Sequence, residues 1–270
     1  MLNSNIEKFI TSDGSIGLYN KELDEIYHDR NGAIKESFEK FIEPCLKLDF
    51  KPLKILDICY GIGYNTKSAL KYFKNIEFID CIEIDKNLVT MSCQIPFDDD
   101  INKIIENNLK NPTIINFYLD DVRKIINNLN KKYDIIFHDG FAPMKQPELW
   151  SENIIALIID KLDKNGLYVT YNHSKLVLNA LVKTGLTLGY TIKNNRKIGT
   201  IASFNSNLIE NKLDNFELAC LKTKSAITFK DKTLNLSKDE ILKNRENEVN
   251  NSTLESLSHL LKRMKKWKRF

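Results

Sequence analysis

The sequence predicts an α/β fold built on a mostly parallel sheet, and three observations carry the prediction. Short apolar, β-branched runs such as Lys54–Ile58 and Tyr133–Phe137 read as buried strands. Segments with helical spacing of apolar residues alternate with them. Four of the runs stop in the same way, three at acidic residues and one at a glycine-bearing turn. In an open α/β sheet, the crevice beyond the carboxyl ends of the strands is where ligands bind.

Residues 1–50 read as an N-terminal extension, with a β-hairpin candidate around Asp13-Gly14 and a helix from near Ala33 to Leu48. The core is placed at 51–213. Its strands are expected at Lys54–Ile58, Glu77–Ile82, Ile114–Tyr118, Tyr133–Phe137, Leu167–Tyr171 and Tyr190–Asn194. A seventh lies at either Gly199–Phe204 or Phe216–Lys222. Helices are expected near Asn65–Phe73, Ile101–Asn108, Asp121–Leu129, Glu152–Leu162 and Lys175–Leu186. Asp163-Lys164-Asn165-Gly166 reads as a helix stop and turn before the next strand. Residues 214–270 read as an appendage in which Ser237 and Glu240 open a helix with a capping box and Ser252 offers a second start.

Composition narrows the class. A chain of 270 residues suits one large α/β domain with decorations. Five cysteines, with no Cys-x-x-Cys pair and no histidine at ligand spacing, argue against a disulfide framework and against a metal site. The start Met1–Asn5 lacks a basic leader, and no run approaches the ~18 apolar residues of a membrane span, so a cytoplasmic protein is expected. The net charge is +4, but Leu260–Phe270 alone carries six basic side chains and no acid. Such a cluster with interleaved Trp267 and Phe270 can neutralise phosphates and stack on unpaired bases; it can equally be a solvated helix end.

Two motifs carry chemistry. In Ile55-Leu56-Asp57-Ile58-Cys59-Tyr60-Gly61-Ile62-Gly63-Tyr64-Asn65 a strand runs into a glycine turn and then a helix. Gly61 and Gly63 would let the backbone approach a ligand, although the same pattern also serves as a tight connection. Glu83 follows Gly63 by twenty positions, the spacing at which nucleotide-binding βαβ units place an acid for ribose hydroxyls. Asp121 ends the next strand, or else caps its helix. With no P-loop lysine, an adenosine-type ligand is expected. The second motif is Asp139-Gly140-Phe141-Ala142-Pro143 with Lys145 and Trp150 behind it. An acid wedged among Phe141, Pro143 and Trp150 is costly without a partner, so Asp139 is the candidate catalytic residue. His138 reads as a packed histidine, and His173 as either pocket-facing or not.

The order glycine loop, Glu83, Asp121, Asp139 resembles the class I S-adenosylmethionine-dependent methyltransferases, a Rossmann-like fold with a seven-stranded, mostly parallel sheet. The signature Thr11-Ser12-Asp13-Gly14-Ser15-Ile16-Gly17-Leu18-Tyr19, Tyr27-His28, Gly32-Ala33 and Asp139–Pro143 is similar to one family within it. That family is the methyltransferase half of the bifunctional bacterial enzyme that makes 5-methylaminomethyl-2-thiouridine in tRNA. The likeness runs from about Thr11 to Phe204, and Asp231–Leu234 with Ser237, Lys238, Glu240 and Ile241 resembles the tail of stand-alone members.

The resemblance implies N-methylation of the primary amine of 5-aminomethyluridine at the tRNA wobble position. S-adenosyl-L-methionine would be the cofactor, tRNA the partner, and a separate enzyme the source of the aminomethyl precursor. It implies cofactor contacts at Asp57, Gly61, Gly63, Glu83, Asp121 and Tyr19, and substrate contacts at Tyr27, Phe141, Pro143, Lys145 and Trp150. No second glycine-rich βαβ unit occurs, so the flavin oxidase half is not expected. Cys59 replaces the first glycine of the usual loop, where a thiol fits if its backbone angles are ordinary. Two other readings remain open. One is an aminopropyltransferase or other small-amine enzyme, and the other a non-catalytic RNA- or partner-binding module.

Overall fold

The computed structural model describes residues 5–49 and 51–267, with side chains as far as Met264. Lys268, Arg269 and Phe270 of the basic cluster lie outside the described residues, as do the side chains of Lys265, Lys266 and Trp267. The chain divides into two units, one of residues 1–141 with 161–171 and one of residues 142–160 with 172–270.

The first unit opens with a three-stranded antiparallel sheet of β1 (Ile6–Ile10), β2 (Ile16–Asn20) and β3 (Glu25–Ile26). The expected hairpin at Asp13-Gly14 joins its first two strands. The expected helix from Ala33 to Leu48 is instead three short pieces: α1 (Ala33–Ser37), a π turn (Phe38–Ile42) and a 3-10 turn (Glu43–Leu48). Pro44 supplies the reason for the last change, since it has no N–H to continue an α ladder.

Five parallel strands follow: β4 (Leu53–Ile58), β5 (Ile76–Ile82), β6 (Ile115–Tyr118), β7 (Tyr133–His138) and β8 (Leu162–Thr170), in the spatial order β6-β5-β4-β7-β8. Between them run α2 (Tyr64–Tyr72), α3 (Lys86–Ser92), α4 (Asp99–Lys110) and α5 (Val122–Ile125). All six residues of β7 and five of six in β4 are buried, as expected of parallel strands covered on both faces. Helix α3 is not among the helices expected from the sequence; the Asp85 side chain caps it, accepting from Asn87 N–H at 2.9 Å. At the other end of α3 the buried Lys67 of α2 donates to the carbonyls of Ser92 (2.6 Å) and Ile95 (3.2 Å), a cation on oxygens at and just past the helix end.

Asp163-Lys164-Asn165-Gly166 is not a turn but lies within β8. A Cβ on Gly166 would stand 2.9 Å from the carbonyl oxygens of Tyr133 and Asp134, where the β7 register shifts. The glycine answers to the neighbouring backbone rather than to a chain reversal.

The second unit holds α6 (Glu152–Asp160), α7 (Lys175–Lys183), the antiparallel pair β9 (Thr187–Lys193) and β10 (Arg196–Ser203), then α8 (Asn215–Cys220), α9 (Lys238–Asn251) and α10 (Leu257–Trp267). Asn194 and Asn195, both at positive φ (49° and 60°), close the two-residue hairpin between β9 and β10. The seventh strand is therefore β10, and the alternative at Phe216–Lys222 is helical because Asp214 and Glu217 form a capping box. Ser252 ends α9 rather than starting a helix. With these two strands the α/β sheet counts seven, mostly parallel. No described helix is long and apolar enough to cross a membrane.

Candidate active site

The loop from β4 to α2 is built on alternating left-handed residues: Cys59 (φ 67°), Gly61 (57°) and Gly63 (84°). The condition placed on Cys59 is thus not met, since the thiol residue occupies a region that L side chains avoid. Its N–H and that of Tyr60 both donate to Ile82 O, at 3.0 and 3.1 Å, which holds the loop against the end of β5. Gly63 has a second constraint, because a Cβ there would fall 2.3 Å from the Tyr60 hydroxyl. That hydroxyl is fixed by Ser92 Oγ at 2.9 Å.

Glu83 braces the loop from below. One carboxylate oxygen accepts Gly61 N–H at 2.7 Å; the other accepts Ile84 and Asp85 N–H at 2.9 and 3.0 Å. Burial raises its pKa against the pull of these donors. Asp57 is fully buried at the end of β4. Its Oδ2 accepts the Thr66 hydroxyl at 2.6 Å, while Oδ1 has no partner among the described residues. Burial pushes this carboxyl up to about 7, the Thr66 bond opposing. Helix α2 has Gly63 as its N-cap, a residue with no side chain to accept from the first turn's N–H groups. A glycine-lined approach, an uncapped helix start and an unsatisfied buried carboxylate oxygen together fit an adenosine-type cofactor with a charged tail.

The tyrosines divide. Tyr19 donates its hydroxyl to Asp24 at 2.7 Å and is half-exposed. Tyr27 packs edge-on against Phe141, centroids 4.6 Å apart, and its ring lies 3.8 Å from where a Gly61 Cβ would stand. Burial pushes its phenol up to about 12, so it stays protonated. Asp121 caps α5, accepting Arg123 N–H at 2.9 Å and pairing with the Arg123 guanidinium at 2.7 Å, so the helix-cap reading is realised. Two residues escaped the sequence reading: Ile84 and Leu119 are 67% and 50% exposed. They follow β5 and β6, whose ends pair at Ile82 and Tyr118, and so place two apolar side chains on the crevice edge. The signal was available, since each continues an apolar run past the last strand residue.

Asp139 follows β7. Its N–H donates to Ile58 O at 3.2 Å, and its Oδ2 accepts Asn65 Nδ2 at 2.9 Å. Its pKa is pushed up to about 8, first by burial and then by the negative charge of Glu36; Asn65 and Lys40 oppose. His138 is buried with Nδ1 2.8 Å from the Tyr168 hydroxyl, and burial lowers its pKa to about 3; it is a packed, neutral histidine.

Pro143, Lys145, Trp150 and His173 belong to the second unit. Pro143 is buried, Lys145 half-buried and His173 exposed. Trp150 has no accessible surface, so its ring is not an open pocket wall there. Among the described residues no group of three or more His, Cys, Asp or Glu could hold a metal ion.

Residues 72–205 match the model of a family of S-adenosyl-L-methionine-dependent methyltransferases. The chain is 32% identical over 251 residues to an uncharacterised protein of Methanocaldococcus jannaschii, covering 87% of this chain and 70% of that protein. The fold superposes on the crystal structure of MNMC2 from Aquifex aeolicus with a TM-score of 0.79 at 30% identity, over 93% of this chain and 87% of that one. The chain belongs to this methyltransferase family. The methyltransferase is also 24% identical over 194 residues to the tRNA 5-methylaminomethyl-2-thiouridine biosynthesis bifunctional protein MnmC of Campylobacter fetus. It spans 32% of that protein's length. The cofactor of this methyltransferase is S-adenosylmethionine.

Proposed function

We propose that this methyltransferase acts on the primary amine of 5-aminomethyluridine at the wobble position of tRNA. The observation that carries the reading is Asp139, a carboxyl at a strand end whose pKa of about 8 suits removal of a proton from an alkylammonium. An alkyl amine holds its proton to about pH 10, and its nitrogen has no lone pair until the proton leaves. An ordinary carboxylate is more than about six pK units too weak a base for that transfer; Asp139 shortens the gap to roughly two to three. Asn65, bonded to Oδ2, fixes the orientation of the carboxyl.

Bound S-adenosylmethionine supplies the electrophilic methyl group. Gly61 and Gly63 would hold it through their backbone, Asp57 through its unsatisfied Oδ1, and Glu83 at the ribose. Ile84 and Leu119 offer the adenine ring its apolar flanks. Tyr27 and Phe141 form a joined aromatic edge against which the uridine packs and from which water is excluded. Lys145 and the Lys262-Arg263 end of α10 are the candidate phosphate contacts.

The test is methyl transfer from labelled S-adenosylmethionine to tRNA bearing 5-aminomethyluridine, read by nucleoside mass analysis. A product heavier by one methyl at that nucleoside is expected. Cofactor binding without transfer would sink the substrate assignment.

A further inference from the structure

We propose that Glu36, Asp139 and Tyr171 form a cage for a primary alkylammonium, and that Lys40 supplies the cation that fills it between turnovers. The identity of the incoming amine rests on the function proposed above; the cage rests on geometry. Strands β7 and β8 are parallel with Phe137 opposite Val169. Asp139 and Tyr171 each follow two residues later, so they leave the sheet side by side. The π turn Phe38–Ile42 packs against β8 and carries Lys40. Lys40 Nζ lies 2.5 Å from Glu36 Oε1 and 5.8 Å from the centroid of the Tyr171 ring. Glu36 is itself held by Asp29 N–H, which donates to Oε2 at 2.7 Å.

This is not a surface ion pair. The Lys40 and Glu36 side chains are 18% and 17% exposed, and both charges reach Asp139, Glu36 raising its pKa and Lys40 lowering it. The other ionisable groups facing Asp139 are Asp57 at the end of β4 and Cys59 in the loop after it. Lys40 therefore shows that a –CH₂–NH₃⁺ group fits between a carboxylate and an aromatic face at this place. An aminomethyl ammonium is the same group on a different stem. Exchanging one cation for the other leaves the charge of the cage unchanged, so binding avoids leaving the half-buried Glu36 carboxylate uncompensated. Substrates bearing an uncharged group at that position have nothing to replace Lys40 with. π turns recur where a helix has been bent to such a task.

The test is an NMR titration with ethylammonium chloride, at saturating S-adenosylhomocysteine, on wild type and three variants. Lys40→Met removes the resident cation and should bind ethylammonium about tenfold more tightly than wild type. Glu36→Gln should bind it about tenfold more weakly, and Tyr171→Leu several-fold more weakly, through loss of the charge and of the ring face. Affinity for S-adenosylhomocysteine should stay constant throughout. Equal ethylammonium affinity in wild type, Lys40→Met and Glu36→Gln overturns the cage. If Lys40→Met does not fold by circular dichroism, Tyr171→Leu decides, because it leaves the ion pair intact; unchanged affinity there overturns the cage as well. Methyl transfer to aminomethylated tRNA is measured in parallel. The expected ethylammonium pattern without transfer would uphold the cage and discard the tRNA assignment, and transfer without the pattern would do the reverse.

Discussion

A carboxyl that keeps its proton to about pH 8 works as a base only above that pH, so single-turnover methyl transfer should rise with pH and level off past about 8. Asp139→Asn preserves the shape facing Asn65 but not the basicity. It should cost at least about a hundredfold in turnover while leaving S-adenosylhomocysteine affinity intact, and near-wild-type rates would exclude the assigned role. Cys59 gives a prediction of opposite sign. Its left-handed backbone carries roughly 1 kcal/mol of strain that glycine does not, so Cys59→Gly should raise the urea midpoint and leave the fold unchanged. The sequence located Asp139, Cys59 and Glu83 because each stands at the end of an apolar run. It did not reveal Asn65 as the partner of Asp139, a contact across 74 positions that only the parallel register of β4 and β7 creates. Nor did it reveal the sign of φ at Cys59, which follows from two amides sharing the Ile82 carbonyl.

Asp80 shows at the scale of elements what the central strands tolerate. It is fully buried in β5 yet accepts the Tyr133 hydroxyl at 2.6 Å from β7, Asn116 Nδ2 at 2.7 Å from β6 and Lys131 Nζ at 3.1 Å. Asp80→Ala would strand those donors and should lower unfolding free energy by about 3 kcal/mol, measured by urea titration. The β4, β5 and β7 runs were legible because strands covered on both faces need continuous apolar sequence. Asn165-Gly166 misled because its glycine serves the close approach of β7, a cause invisible to a local reading. The choice between two seventh strands was open in the sequence. Asp214 and Glu217, three apart, were the missed sign of a helix start.

The whole molecule should lose stability on alkalinisation in a window set by its two raised aspartates. Unfolded, Asp57 and Asp139 release protons near pH 4; folded, they hold them to about 7 and 8. Between those limits the folded state binds more protons, so their contribution is full below about pH 4 and is lost as pH rises to about 8. The denaturant midpoint should therefore fall from pH 5 to pH 9, and Asp57→Asn should flatten the fall. A different consequence follows from the order in which the first unit is assembled. Its sheet interrupts itself after β7, runs through residues 142–160 in the other unit, and returns only with β8. A ribosome adding about 5–20 residues per second must make that excursion before Leu162–Thr170 can dock. For one to several seconds, nascent β7 offers an apolar edge with no partner on one side. The proposed catalytic acid is thus synthesised at the end of the segment most in need of shielding, and a chaperone arriving during translation would find its client there.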